Sequence, residues 1–326
     1  MFTLSELEAA VALVHAQMPA TPQYDWPLLS RRIGAEVWVK HENHTPIGAF
    51  KIRGGIVYAH ELLRQGPPPA GLITATRGNH GQSIARAASR AGLASTILVP
   101  HGNSREKNRA MAAFGARLIE HGHDFDEARL EADRLATAEG LHFVPAFHPW
   151  LVRGVATYAF ELFRACGALD TVYAPIGMGS GICGLIATRD LLGLDTEIVG
   201  VVAKKAPAVA LSFANRRATA SNAPPRTFAD GVACRVPHQG AIDIIVEGAA
   251  RIVTVSEDEI AEAMRMLYED THNLAEGAGA ASLAALVQEH ALQQGRRVGV
   301  ILSGGNIDRE AFQQVLDGRT PRVGHA

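Results

Sequence analysis

Gly48-Ala49-Phe50-Lys51-Ile52-Arg53-Gly54 is the stretch from which the rest of this chain is best read. It sets a lysine between an aromatic neighbour and glycine-flanked backbone. Such a lysine suits a buried amine nucleophile, because desolvation disfavours the ammonium form and lowers the pKa. A neutral amine can then form a Schiff base with an aldehyde. Alone the stretch decides little, since most lysines are solvated surface charges.

Three further segments fit one ligand. Ala75-Thr76-Arg77-Gly78-Asn79-His80-Gly81-Gln82 follows the apolar run Leu72-Ile73-Thr74 and opens a helix of small residues. A strand, a glycine turn and a helix N-terminus together make an anion-binding geometry, with free N–H groups and the positive dipole end facing the ligand. Gly177-Met178-Gly179-Ser180-Gly181 follows a strand that begins at Thr171, and its glycines let backbone amides close around phosphate oxygens. Leu302-Ser303-Gly304-Gly305-Asn306 follows Val298-Gly299-Val300-Ile301 and offers a hydroxyl at the carboxyl end of a strand, where open α/β sheets bind ligands. Each has a plainer reading. A glycine turn is commonly a tight βα connection, Asn79 and His80 can cap a helix, and Ser303 can be a turn residue.

Working outward, strands are expected at 37–40, 72–75, 96–99, 117–119, 171–174, 197–202, 252–255 and 298–302. Helices are expected at 52–64, 82–91, 104–114, 124–138, 155–166, 183–192, 257–269, 279–289 and 309–316. A further helix, capped by Ser5, is expected to run to about Met18. This alternation argues for parallel α/β architecture with right-handed crossovers. Loops are expected at 66–70 and 221–225, and the polar tail from Gly318 is expected to fray.

The composition excludes several classes. A chain of 326 residues, 47 % hydrophobic and 20 % charged, reads as a soluble globular protein. With 31 basic and 33 acidic residues there is no field to recruit nucleic acid or an anionic membrane. Cys166, Cys183 and Cys234 are widely spaced, which suggests reduced thiols in a cytoplasmic setting. The N-terminus carries acids and no early Lys or Arg, unlike a signal peptide. No apolar run approaches bilayer-spanning length.

Together the segments resemble the fold-type II enzymes that use pyridoxal phosphate, in the branch of the serine/threonine dehydratases and serine racemases. The resemblance runs from about Thr21 to Asp308. It also takes in Ala229-Asp230-Gly231-Val232-Ala233 and Glu276-Gly277-Ala278-Gly279-Ala280. It implies two α/β domains, each a twisted, mostly parallel sheet flanked by helices. Residues 1–70 with 148–326 would form the large domain and 71–147 a small inserted one, with the cofactor between them and closure over the substrate. A homodimer is expected. Absence of length for a regulatory domain after Leu316 argues against the amino-acid-inhibited type of threonine dehydratase.

The resemblance also implies roles. Lys51 would hold pyridoxal phosphate and serve as the base at the substrate Cα. Phe50 would pack near the ring, and Asn79 would bond its 3-oxygen. The backbone of Gly177, Met178, Gly179, Ser180 and Gly181 would hold the phosphate. Ser303 would face the pyridine nitrogen; a neutral hydroxyl there makes the ring a weaker electron sink and favours prompt loss of a β-substituent. Thr76, Arg77, Gly78 and His80 would receive the amino-acid substrate, and Glu276 would support the site from nearby. The implied reaction is α,β-elimination of water from an L-β-hydroxy amino acid, giving a 2-keto acid and ammonia. A racemase, a β-replacement enzyme and a non-catalytic ligand-binding homologue are the alternatives.

Three departures from the family pattern bear on substrate and metal. Arg77 stands where racemases have a serine as the opposite-face acid/base, and arginine stays protonated near neutral pH. Val202 stands where many relatives have a cation-binding glutamate, and Lys204 and Lys205 follow it, so no metal is expected; one of those ammonium groups could replace the cation, or both could be solvated. In His148-Pro149-Trp150-Leu151-Val152-Arg153-Gly154-Val155-Ala156-Thr157, Arg153 and Val155 replace Ala and Gln beside the expected substrate side chain. Val155 and Trp150 suit a bulky substrate such as phenylserine; Arg77 and Arg153 suit hydroxyaspartate.

Overall fold

The computed structural model describes residues 1–322; the last four residues of the polar tail lie outside the described residues. The strands are β1 (Gln23–Asp25), β2 (Glu36–His41), β3 (Leu72–Ala75), β4 (Ser95–Val99), β5 (Arg117–Glu120), β6 (His142–Phe143), β7 (Thr171–Pro175), β8 (Glu197–Ala203), β9 (Arg251–Val255) and β10 (Arg297–Leu302). They form a six-stranded sheet in the order β1-β2-β10-β7-β8-β9 and a four-stranded sheet in the order β5-β4-β3-β6. Every pairing is parallel except that of the edge strand β1 with β2. The central strands read as continuous apolar runs because helices cover both faces; all of β3 and β4 is buried. Strands β10 and β7 are neighbours, so the loops that leave their carboxyl ends, at Ser303 and Gly177, emerge side by side.

The helix Lys51–Arg64 packs against the helices Asn79–Arg90 and Pro149–Cys166. Packing is closest at Gly154, where a Cβ would collide with the Arg53 carbonyl. Beneath it lies a buried ionic cluster. The fully buried Arg53 donates to Glu42 at 2.7 Å and to Glu161 at 2.6 Å. Lys40, also fully buried, donates to Glu161 at 2.6 Å, and the half-exposed His15 reaches the same carboxylate at 2.8 Å. Burial works against the charge on Glu161, yet Arg53 and Lys40 together hold its carboxyl at about 2. The cluster bolts β2 to the two helices.

Some elements differ from expectation. The first helix is Leu4–His15, capped by Thr3 in a reciprocal pair with Glu6, so Ser5 is not the cap and the helix stops short of Met18. The helix expected from residue 155 begins at Pro149, because proline at the first helical position lacks only an N–H that would go unused. The same reason starts the unexpected helix Pro27–Ile33. Helices Ala208–Asn215 and Gln239–Gly248 and the short strands β1 and β6 were also not expected.

Candidate active site

Lys51 opens its helix at the mouth of the cleft between the two sheets, and it keeps partial exposure there. Desolvation lowers its amine to about 8. Its Nζ lies 3.2 Å from the Ser180 hydroxyl and 5.1 Å from the Phe50 ring centre. Its own carbonyl accepts the Ser83 hydroxyl at 2.6 Å. Among the described residues no carboxylate pairs with it, and burial favours its neutral form.

The loop from Gly177 to Gly181 runs from the end of β7 into the helix Ser180–Leu191. Gly179 caps that helix at φ 97°, a conformation that favours glycine. A side chain at Gly177 would strike the Gly231 carbonyl. The loop therefore presents backbone amides, not side chains, at the helix N-terminus. The buried Tyr158, which the sequence reading missed, donates to the Gly181 carbonyl at 2.9 Å and stacks edge-on with Phe50. Met178 leans on Cys234 instead of the cleft, sulfur to sulfur at 3.7 Å.

On the opposite wall, Thr76 accepts the amides of Gly78 at 2.9 Å and Gly81 at 3.3 Å, and so shapes the turn. Asn79 donates to Glu276 at 2.6 Å and accepts from Asn306 at 2.8 Å. His80 is buried, with no partner for Nε2. Burial first, and the charge of Lys51 second, push its imidazole down to about 3, with the Val144 backbone pulling the other way. The ring is neutral at physiological pH. Arg77 is exposed and has no hydrogen-bond or ion-pair partner among the described residues. Ser303 is buried past the end of β10, and its carbonyl accepts the Phe50 amide at 3.0 Å.

A buried network backs this wall. Lys107 donates to Asp230 at 2.7 Å and to Glu276 at 3.1 Å. Lys107 and Asp230 were not expected at the site; Asp230 lies in the segment from Ala229 to Ala233, to which no role was given. Other expectations are corrected. Arg153 does not face the cleft: it pairs with Glu61 at 2.6 Å and Glu6 at 3.4 Å on the far side of its helix. Trp150 packs edge-on against Tyr58 and His148, and Val155 lies in the core beside Gly54. Lys204 and Lys205 are exposed, while Val202 is buried. Neither ammonium therefore takes the place of a buried cation, because solvating an exposed charge costs less than desolvating it. Among the described residues, no three His, Cys, Asp or Glu side chains gather as a metal cage.

This set fits pyridoxal phosphate. It combines an unpaired lysine of lowered pKa, a glycine cradle too tight for side chains and a neutral histidine with an unused nitrogen aimed from a buried position.

A family model described as pyridoxal-phosphate dependent enzyme matches residues 16–304. The chain is 30% identical over 321 residues to the L-threonine ammonia-lyase of Thermotoga maritima, covering 97% of this chain and 79% of that one. A solved threonine deaminase from T.th. is 30% identical, with a TM-score of 0.88 over 94% of this chain and 99% of that one. A pyridoxal 5'-phosphate-dependent aspartate racemase is 26% identical, with a TM-score of 0.88 over 95% of this chain and 97% of that one. The biosynthetic L-threonine dehydratases that match are longer, and this chain spans 58% to 60% of them. Among the described residues, no helix is long and apolar enough to cross a membrane.

Proposed function

The chain belongs to the family of pyridoxal-phosphate dependent enzymes, in the fold-type II architecture, and from that premise we propose that it is an ammonia-lyase for a threonine- or serine-like L-β-hydroxy amino acid. The carrying observation is the amine of Lys51, desolvated to about 8, unpaired, and 3.2 Å from Ser180 of the glycine loop. Pyridoxal phosphate, when bound, delocalises the electron pair left at the substrate Cα, so that the proton there and the β-hydroxyl can both leave. Lys51 would hold the cofactor and carry the Cα proton. The amides of Gly177 to Gly181 would hold its phosphate against the helix dipole, with the Ser180 hydroxyl alongside. Asn79 would face the ring oxygen and Ser303 the ring nitrogen.

The substrate carboxylate would meet the turn from Thr76 to His80. A neutral His80 adds no second charge beside Lys51, and with its one N–H turned to the Val144 backbone its Nε2 can accept a hydrogen bond there. Arg77, with no partner among the described residues, would be available to an anionic group of the substrate. In net terms the Cα–H and Cβ–O bonds break, water leaves, and water returns as ammonia departs. With Trp150 and Val155 packed elsewhere, the sequence argument for a bulky aromatic substrate loses its residues, and with Arg153 paired to Glu61 the argument for hydroxyaspartate keeps only Arg77. The threonine ammonia-lyase and threonine deaminase relatives support a small substrate.

The division into residues 1–70 with 148–326 and 71–147 is part of this proposal. It is supported by the four-stranded sheet, whose strands all fall within 72–143. A cytoplasmic homodimer belongs to it too; the three cysteines are free and buried, as a reducing compartment allows.

The test is an assay of keto acid and ammonia over a panel of L-β-hydroxy amino acids, with Lys51→Ala as control. The variant should lose turnover by at least about a thousandfold, together with the visible absorbance of the lysine-bound cofactor. Near wild-type turnover in that variant would remove the core of the reading.

A further inference from the structure

The helix Arg105–Ala113 lies between β4 and β5 of the four-stranded sheet, yet its first turn is clasped to the other unit. Asp308 accepts the Ser104 hydroxyl at 2.5 Å and the Glu106 amide at 3.3 Å; Glu106 in return accepts the Arg309 amide at 3.1 Å. From this clasp Lys107 reaches inward. Its stem passes so close to Gly78 that a side chain there would collide with it. Its ammonium ends between Asp230 and Glu276.

We propose that Lys107 is a positioning residue through which the four-stranded unit keeps Glu276 an acceptor and so orients the Asn79 amide at the cleft. The proposal rests on the reading of that cleft as the cofactor site.

The geometry is directional. An ionised Glu276 can only accept, so its Oε1 holds the Nδ2 side of Asn79 at 2.6 Å. The Oδ1 side of Asn79 then faces Asn306, whose Nδ2 also donates to the Ile47 carbonyl in the segment leading to Lys51. Both partners agree on one orientation of Asn79, which leaves a single Asn79 N–H for a ligand. A protonated Glu276 could donate, and the orientation would no longer be fixed. Glu276 is buried at 3% exposure, and its charged neighbours are Lys107 from the helix and Asp230 from the turn Asp230–Val232. Burial raises its pKa, the Lys107 ammonium opposes that rise, and Asp230 adds to it. Burial likewise works against the charge on Lys107, but the two carboxylates raise its pKa and keep it an ammonium. Undocking of the helix would remove the ammonium and let Glu276 take up a proton.

The experiment compares wild type, K107M, K107R and E276Q. In the holoenzyme, K107M should move the acid limb of the kcat–pH profile up by about one unit or more, with kcat falling further than KM rises. K107R, which keeps the charge, should restore most of the limb. In an E276Q background, K107M should give no further shift. In the apoprotein, amide hydrogen exchange across residues 76–82 should be faster in K107M than in wild type. An unmoved acid limb in K107M, or unchanged exchange, overturns the proposal. Should K107M fail to fold, E276Q decides: loss of that limb supports the proposal and an unchanged limb overturns it. Failure of the wild-type protein to bind pyridoxal phosphate would end the cofactor reading instead, and the exchange comparison in apoprotein would still decide the role of Lys107.

Discussion

The main-chain amide of Phe50 donates to the carbonyl of Ser303 over 3.0 Å. The residue ahead of Lys51 is thereby tied to the residue that follows β10, and the bridge between Ala49 and Gly304 extends the tie. The start of the lysine helix cannot shift without moving the carboxyl end of a central strand. This rigidity holds the amine beside Ser180, since a site carried on regular elements is placed more precisely than one carried on a loop.

Uptake of the cofactor should depend on pH through Lys51. Its pKa is lowered to about 8, so the amine is mostly ammonium below that value and mostly neutral above it. Only the neutral amine condenses with an aldehyde. The rate of reconstitution of apoprotein with pyridoxal phosphate should rise about tenfold per unit below pH 8 and level off above it. Stopped-flow absorbance checks this; a plateau reached only near the ordinary lysine value would show that burial has not shifted the group.

Elimination should proceed without appreciable racemisation. The family resemblance puts Arg77 where a second, opposite-face base would be needed, and a guanidinium does not give up its proton near neutral pH. Incubation with L-serine in deuterated water, followed by chiral analysis, reads the outcome. Accumulation of D-serine at a rate comparable to keto acid would mean another group delivers the opposite-face proton.

Activity should survive exhaustive EDTA treatment, because the family resemblance puts Val202 where many relatives would carry a cation-binding carboxylate. Lys204→Ala and Lys205→Ala should each change stability by less than about 0.5 kcal/mol, as exposed substitutions do. Loss of activity on chelation, restored by magnesium, would contradict the first expectation, and a large drop in melting temperature for either variant the second.

Arg53→Met should destabilise the fold by about 3–5 kcal/mol, because it leaves two buried carboxylates with Lys40 as their remaining cation. The depressed value of Glu161 gives the pH sense: its contribution is present above the ordinary carboxylate value and is lost as pH falls toward about 2. Denaturant melts at pH 7 and pH 3 should show the difference between wild type and variant shrinking at the lower pH.

Local order was legible in the sequence. The apolar runs that became β3, β4, β7, β8 and β10, and the glycine turns at the carboxyl ends of β3, β7 and β10, are properties of a few adjacent residues. Strand propensity and glycine conformational freedom act over that range. Lys51, the turn from Thr76 to His80, the loop from Gly177 to Gly181 and Ser303 were picked out on those grounds; the fold sets Lys51 beside Ser180 and ties its neighbour Phe50 to Ser303. The helices at Pro27 and Pro149 were missed or shortened, although proline at a first helical position costs nothing.

Partnerships were not legible. Lys107 meets Asp230 and Glu276 across 123 and 169 positions, and nothing in the neighbourhood of any of the three in the chain announces the other two. Arg153 looked available to a substrate until the helix Lys51–Arg64 placed Glu61 against it. Tyr158 drew no notice in the sequence, and its bond to the Gly181 carbonyl exists only in the fold. The sequence by itself determined the kind of sheet, the glycine turns at its strand ends and the candidate lysine. Only the tertiary structure decided which charges neutralise one another, because Coulomb attraction and desolvation depend on distance and burial in space, and a chain's local pattern carries neither.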